Sequence, residues 1–334
     1  MTFTSWFIAV TVEVGDALVF PADVLALKYA QSLYGVDEAV VDRLTSHGQH
    51  IIRLLPKISG FRLIECHRAI GARFALFVGV KPLSQFGYQE IREFGRKVLT
   101  SLAGEAPSTE HVCLTIHGPG YGLDEAECFE AELAGLLDAI DSGKFPEALR
   151  RITIIDRNPA RVKRLNDLLS RLLPTGRISL GQKRSLETLA EVPAARLRTV
   201  GYSSANKPNI FVAMPFSEDM DDVFHYGIQG AVNAAGYLCE RADLSSFTGD
   251  VMDWVKKRIA SASLVIADLS TANANVYLEV GYAWGCGKPT VLLVRNPSDL
   301  KFDVKGQRCL VYKKIKDLEL SLRKELESFQ KGQT

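Results

Sequence analysis

Two carboxylates in the second half of the sequence sit where a chain can place chemistry. The apolar run 264–267 ends in Asp268-Leu-Ser, and Asn273-Ala-Asn275-Val-Tyr-Leu-Glu279 reads as a helix start, with Asn273 or Asn275 as cap and Glu279 about one turn inside. A third run, 209–213, ends in Met214-Pro215-Phe216. A carboxylate in a crevice can add as a nucleophile, stabilise a developing positive charge or carry a proton. Each residue also has an ordinary alternative, since an Asp at a strand end can hold the next turn and a Glu early in a helix favours its dipole. Only the three segments together point to a pocket.

The elements that must position these residues are legible in outline. Strands are expected at 209–213, 236–239, 264–267, 290–294 and 309–312, and helices at 220–235, 248–260 and 276–285. Met220, Val223, Phe224, Ile228 and Ala231 share one helical face, as do Val251, Trp254, Val255 and Ile259. Strands joined by helices of this length favour parallel pairing with right-handed crossovers, hence a doubly wound sheet with its ligand crevice beyond the carboxyl ends of the strands. A charged helix is expected from 313 to the end.

The first half also alternates. Strands are expected at 6–12, 17–20, 61–65, 74–80, 112–117 and 152–155, and helices at 37–44, 88–102, 123–140 and 160–173. In 123–140, Cys128, Leu133, Leu136, Leu137 and Ile140 recur at helical spacing while Glu125, Glu127, Glu130 and Glu132 occupy much of the rest. Residues 181–207 lack a sustained apolar run and end in a Ser-Ser-Ala-Asn-Lys-Pro stretch, which reads as a linker. The expectation is therefore two α/β domains, 1–180 and 208–334, joined by 181–207. A length of 334 residues agrees with two cores.

With 40 Lys+Arg against 39 Asp+Glu, the net charge of +1 argues against general nucleic-acid or anionic-membrane binding, which needs excess cations. The six cysteines show no Cys-x-x-Cys pair and read as reduced core residues; no histidines stand at metal-ligand spacing, and His117 reads as structural. No run approaches a bilayer span and the opening residues lack a signal-peptide pattern, so a cytoplasmic location is expected.

Met214-Pro215-Phe216, Ile266-Ala-Asp268-Leu-Ser, Asn273-x-Asn275-Val-Tyr-x-Glu279-Val-Gly-Tyr282-Ala and Gly287-Lys-Pro, in this order over about a hundred residues, resemble the TIR-like, nucleoside 2-deoxyribosyltransferase-like domains of bacterial anti-phage and signalling proteins. The resemblance implies a flavodoxin-like sheet and chemistry at an N-glycosidic bond. Glu279 would meet the oxocarbenium-like sugar carbon, and Asp268 would anchor a ribose hydroxyl or handle a proton. Asn273 and Asn275 would bind sugar or base, with Met214, Pro215, Phe216 and Tyr282 as wall and stacking surface. The stretch from Ser270 to Asn275 lacks the acidic residue and Gly-Thr that precede the glutamate in base-transferring relatives, so hydrolysis of NAD or a nucleotide is the leading expectation. Base exchange and non-catalytic nucleotide binding are the alternatives. No cofactor is expected beyond NAD or a nucleotide as substrate, and a homo-oligomer is expected.

Asp16 within the run 14–23, and Gly118-Pro-Gly120-Tyr121-Gly122 before a helix, are similar to a macro-like domain and to the amino-terminal domain of leucine aminopeptidases. That resemblance implies that Asp16 reads adenine or ribose and that the glycine loop cradles a diphosphate, for which backbone N–H groups at a helix start suit an anion. It implies a nucleotide-sensing first domain that controls the second.

Overall fold

The computed structural model describes residues 6–180, 185–241, 251–301 and 304–332. The chain divides into two compact units: Met1–Pro119 with Glu125–Ala205, and Gly120–Asp124 with Asn206–Thr334.

The first unit runs β1 (Trp6–Val14), β2 (Ala22–Tyr29), α1 (Val36–Ser46), β3 (Phe61–Glu65), β4 (Ala72–Gly79), α2 (Tyr88–Glu105), β5 (His111–Thr115), α3 (Glu125–Asp141), β6 (Arg151–Asp156), α4 (Pro159–Leu172), β7 (Arg177–Leu180) and α5 (Glu191–Thr199). Among the described residues its mixed seven-stranded sheet has the order β3-β4-β2-β5-β6-β1-β7, with β3 and β7 antiparallel to their neighbours and the inner strands parallel.

The strand expected at 17–20 is a turn instead. Asp16 Oδ1 accepts from the Leu18 amide at 2.9 Å, and its carbonyl accepts from Val19 and Phe20. The strand begins at Ala22, in a run whose Asp23 and Lys28 obscure the apolar pattern. Both are compatible with burial, because Asp23 accepts the Glu110 and His111 amides at 2.8 Å and Lys28 meets Asp37 at 3.6 Å.

The glutamates of α3 do not form a solvent face; Glu125, Glu127, Glu130 and Glu132 are all buried. Each has a partner. Glu125 pairs with Arg161 and Arg164 at 3.0 and 2.7 Å, Glu127 accepts from the Ser204 hydroxyl, Glu130 pairs with Arg196, and Glu132 accepts from the His117 amide at 3.1 Å. Two of these partners come from the stretch expected as a linker. Where it is described, 185–205 folds into the first unit: α5 buries Ala194 and Leu197, and the Arg92 guanidinium donates to the carbonyls of Leu197 and Val200 at 2.8 and 2.6 Å. The apolar signal was sparse because this segment is held largely by ion pairs and backbone hydrogen bonds.

Helices α2 and α3 approach closely at glycines. A Cβ on Gly135 would lie 1.9 Å from the Arg92 carbonyl oxygen, and one on Gly95 would lie 2.5 Å from that of Glu132. Gly135→Ala is therefore expected to push the helices apart and destabilise the protein by about 2 kcal/mol. Chemical denaturation measures this, and an unchanged midpoint would contradict the contact.

The second unit runs β8 (Asn209–Ala213), α6 (Glu218–Asp222), a π-helical stretch Val223–Gln229, α7 (Gly230–Ala234), β9 (Leu238–Glu240), α8 (Val251–Ser261), β10 (Leu264–Asp268), α9 (Ala274–Gly285), β11 (Thr290–Val294), β12 (Cys309–Val311) and α10 (Ile315–Lys331). Its described strands pair in parallel in the order β12-β11-β10-β8-β9. Alternate residues feed two cores. Ile210, Val212 and Ile266 pack with α10 and the α6–α7 segment, while Phe211, Val265 and Ala267 pack with α8 and α9. The doubly wound arrangement follows from these short, doubly buried strands. Positions 248–250 of the helix expected at 248–260 lie outside the described residues.

Candidate functional site

Because the strands of the second sheet all point one way, their carboxyl ends gather Met214, Arg241, Asp268, Arg295 and Tyr312, each the last residue of its strand or the first beyond it. Asp268 is fully buried. One carboxylate oxygen accepts from the Tyr312 hydroxyl at 2.7 Å and the other from the Ser270 amide at 2.9 Å. Burial, with the Asp268 charge beside it, pushes the Tyr312 phenol up to about 12, so it stays a donor. The Ser270 hydroxyl accepts the Arg295 amide at 2.9 Å, which ties the loop after β10 to the end of β11.

From that loop the chain turns through Ala272, at φ 49°, into α9. Asn273 is the cap, its side-chain oxygen accepting the Asn275 amide at 2.9 Å. One face of α9 buries Val276, Val280 and Ala283 against the sheet, and Glu279 lies beside this seam, half-buried. Among the described residues its carboxyl has no hydrogen bond and no ion pair, and burial pushes it up to about 7. Asp268 shares the sheet face of Ile266 and Tyr312, whereas α9 covers the opposite face. The two carboxylates thus have different environments, one saturated with donors and one without any.

Met214 and Pro215 are buried behind an exposed Phe216. The expected stacking surface already carries a cation: the Arg241 guanidinium lies 4.6 Å from the Phe216 ring centre and 4.0 Å from that of Phe224, and meets Asp221 at 3.3 Å. Asn275 is exposed and Tyr282 is half-buried. A hydrogen bond with Cys286 holds the Tyr282 phenol above its usual range.

In the first unit Asp16 is engaged rather than open. Its turn bond to Leu18 and a 2.8 Å contact with Arg157 hold its carboxyl below the usual range. His117 is buried with its Nδ1 at 3.3 Å from Glu132, a structural placement. Of the glycine loop, Gly118 belongs to the first unit, and Gly120, Tyr121 and Gly122 belong to the second. Gly122 is at φ 85°, its carbonyl accepts the Arg241 amide at 3.1 Å, and a Cβ there would lie 2.5 Å from the Trp254 ring. Protein packing accounts for that glycine. Buried Asp124 secures the same segment by accepting from Asn233 and the Cys239 amide at 3.0 and 2.9 Å.

No family model matches the sequence, and no curated protein matches it. Solved structures similar to about half of the chain include macrodomains. A Trypanosoma brucei macrodomain in complex with ADP is 14% identical with a TM-score of 0.41, covering 48% of this chain and 69% of that one. An Oceanobacillus iheyensis macrodomain with MES bound is 14% identical with a TM-score of 0.40, covering 49% and 91%. The macro domain of ganglioside induced differentiation associated protein 2 is 15% identical with a TM-score of 0.37, covering 48% and 83%.

Sequence reading missed Arg241, Arg295 and Tyr312. The rule that singled out Met214 and Asp268, the position at the carboxyl end of a parallel strand, would have found all three. Among the described residues no helix is long and apolar enough to cross a membrane.

Proposed function

We propose that the second unit cleaves the N-glycosidic bond of NAD or another nucleotide, with Glu279 as its catalytic carboxylate. The observation that carries this reading is the state of Glu279: half-buried on α9, without a hydrogen bond or ion pair among the described residues, and pushed by burial up to about 7. As the bond between C1′ and the base nitrogen breaks, the base leaves with the electron pair and the sugar gains oxocarbenium character. An ionised Glu279 stabilises that charge, and water adds at C1′ and releases a proton. The base departs and a free sugar hydroxyl remains. Asp268, saturated by Tyr312 and Ser270, acts as a positioning residue for the loop that leads into α9. Asn275 supplies an exposed amide for a sugar hydroxyl, with Phe216, Met214 and Pro215 as wall.

The test is incubation of the purified full chain with NAD, ATP, dATP and a nucleoside mixture, followed by chromatography for released base. ADP-ribose-type compounds are added in parallel, because control by a nucleotide-derived ligand belongs to the same reading. Release from one substrate class is the expected result. Tight retention of intact nucleotide with no release under any condition would make this a binding protein.

A further inference from the structure

The first unit holds a cavity of about 800 Å³ that none of the assignments above uses. It opens at the amino ends of β2, β4 and β5, the edge opposite to the one where ligands of parallel sheets usually sit, and its volume suits a small molecule. It is lined by apolar Pro21, Ile70 and Ala72 and by polar Asp23, Glu65, Arg68, Arg73 and His111, with the Glu65, Arg68 and Arg73 side chains exposed at its rim. Among the described residues Glu65, Arg68 and Arg73 enter no ion pair, although charges of both signs line the same space.

The wall is rigid. His67 and Arg68 are consecutive left-handed residues, at φ 44° and 66°. The turn they make is clamped by the Gly71 amide bond to the Leu18 carbonyl at 2.8 Å, and a Cβ on Gly71 would lie 2.3 Å from the Val19 carbonyl oxygen. On the far side, Asp23 is held by the Glu110 and His111 amides.

A chain of hydrogen bonds across β5, β6 and β1 fixes the state of His111. The Thr11 hydroxyl donates to the Glu13 carboxylate at 2.8 Å, the Thr11 and Thr153 hydroxyls lie 3.1 Å apart, and His111 Nε2 lies 2.9 Å from the Thr153 hydroxyl. Each hydroxyl has one proton to give. Thr11 spends its proton on Glu13, so Thr153 donates to Thr11, and His111 Nε2 must carry the hydrogen that Thr153 accepts. Burial, followed by the charge of Arg151, lowers the imidazole below its ordinary range and keeps it neutral. Nδ1 is then a lone-pair acceptor on a residue that lines the cavity.

A bare polyanion would be repelled by Asp23 and Glu65, and a neutral sugar would leave the Arg68 and Arg73 guanidinium groups without an anion, Arg73 resting only on the Phe74 ring at 5.0 Å. A ligand with one anionic end and several hydroxyl donors satisfies both sets, because guanidinium forks suit phosphate and carboxylates accept hydroxyls. We propose that this cavity is a binding site for a phosphorylated sugar, with Arg68 and Arg73 on the phosphate and Asp23, Glu65 and the Nδ1 of His111 accepting from hydroxyls. The site is separate from the proposed reaction at Glu279.

Ribose 5-phosphate is the probe, titrated into the full chain by calorimetry. Saturable binding is expected, with ribose and inorganic phosphate each weaker by about tenfold or more. Arg68→Gln and Arg73→Gln, both at exposed positions where folding is not at stake, should each weaken binding by about tenfold, whereas Glu279→Gln should leave it unchanged. In ¹⁵N spectra His111 should be protonated at Nε2 in the free protein, with the Nδ1 signal moving on titration. No saturable binding at millimolar probe would overturn the site. So would binding that is indifferent to both arginine variants but lost in Glu279→Gln, which would transfer the ligand to the other unit.

Discussion

Replacing Glu279 by glutamine is expected to reduce base release by at least about a hundredfold, the scale of losing a principal charge-stabilising group, and at the same time to make the protein more stable at alkaline pH. The two effects have one cause. Burial raises the folded-state carboxyl from 4.5 to about 7, so between those values the folded protein binds more protons than the unfolded chain. Stability therefore falls as pH rises across that window and levels off above it, by an amount of about 3 kcal/mol at most. Glutamine mimics the protonated form and escapes the loss. Urea denaturation at pH 5 and pH 8 should show the variant and the wild type close together at the lower pH and the variant more stable at the higher. An equal difference at both values would mean that the carboxyl is not desolvated. In wild type the rate should rise with pH through about 7, since the ionised form is the catalytic one. A rate that falls over that range would assign Glu279 as a proton donor.

Asp268→Ala is expected to have the opposite character, a large loss of stability. It strands the buried Tyr312 hydroxyl and frees the half-buried Ser270 amide, and at about 1–3 kcal/mol for an unsatisfied buried donor, with less for the amide, the loss is about 3 kcal/mol. Asp268→Asn retains an acceptor and should cost less, and Tyr312→Phe removes only one of the two bonds. Denaturation midpoints of the three variants order them. If Asp268→Ala left stability intact and abolished base release, Asp268 would belong with the reacting groups rather than the scaffold.

The pair Asp268 and Glu279 illustrates what local pattern can and cannot convey. Both were legible as polar residues at the edge of a doubly wound sheet, because strand ends and helix starts are written in short-range hydrophobic period and capping. Their different chemical states were not. Asp268 is saturated by a tyrosine 44 residues away, at the end of a strand two positions across the sheet, and Glu279 is desolvated by a packing seam. The same limit explains α3. Its glutamates look like a solvated face until Arg161, Arg164, Arg196 and Ser204 arrive from later segments. Gly122, too, reads as part of an anion loop, whereas Trp254 and Arg241 supply the reason for it.

By itself the sequence determined the two-unit α/β organisation, most of the strands and helices of the second unit, the balance of charge, and that Met214 and Asp268 stand at the carboxyl edge of its sheet, though not that Arg241, Arg295 and Tyr312 join them. These depend on periodicity, caps and composition, which act within a few residues of each position. Tertiary structure alone decided that 185–205 is part of the first unit, that Gly120–Asp124 joins the second, which carboxylate is saturated and which is bare, and that His111 ends a four-residue hydrogen-bond chain beside a charged cavity. The physical reason is common to all of these. Desolvation, ion pairing and proton placement are set by groups distant in sequence, and only the folded chain brings those groups within a few ångströms of one another.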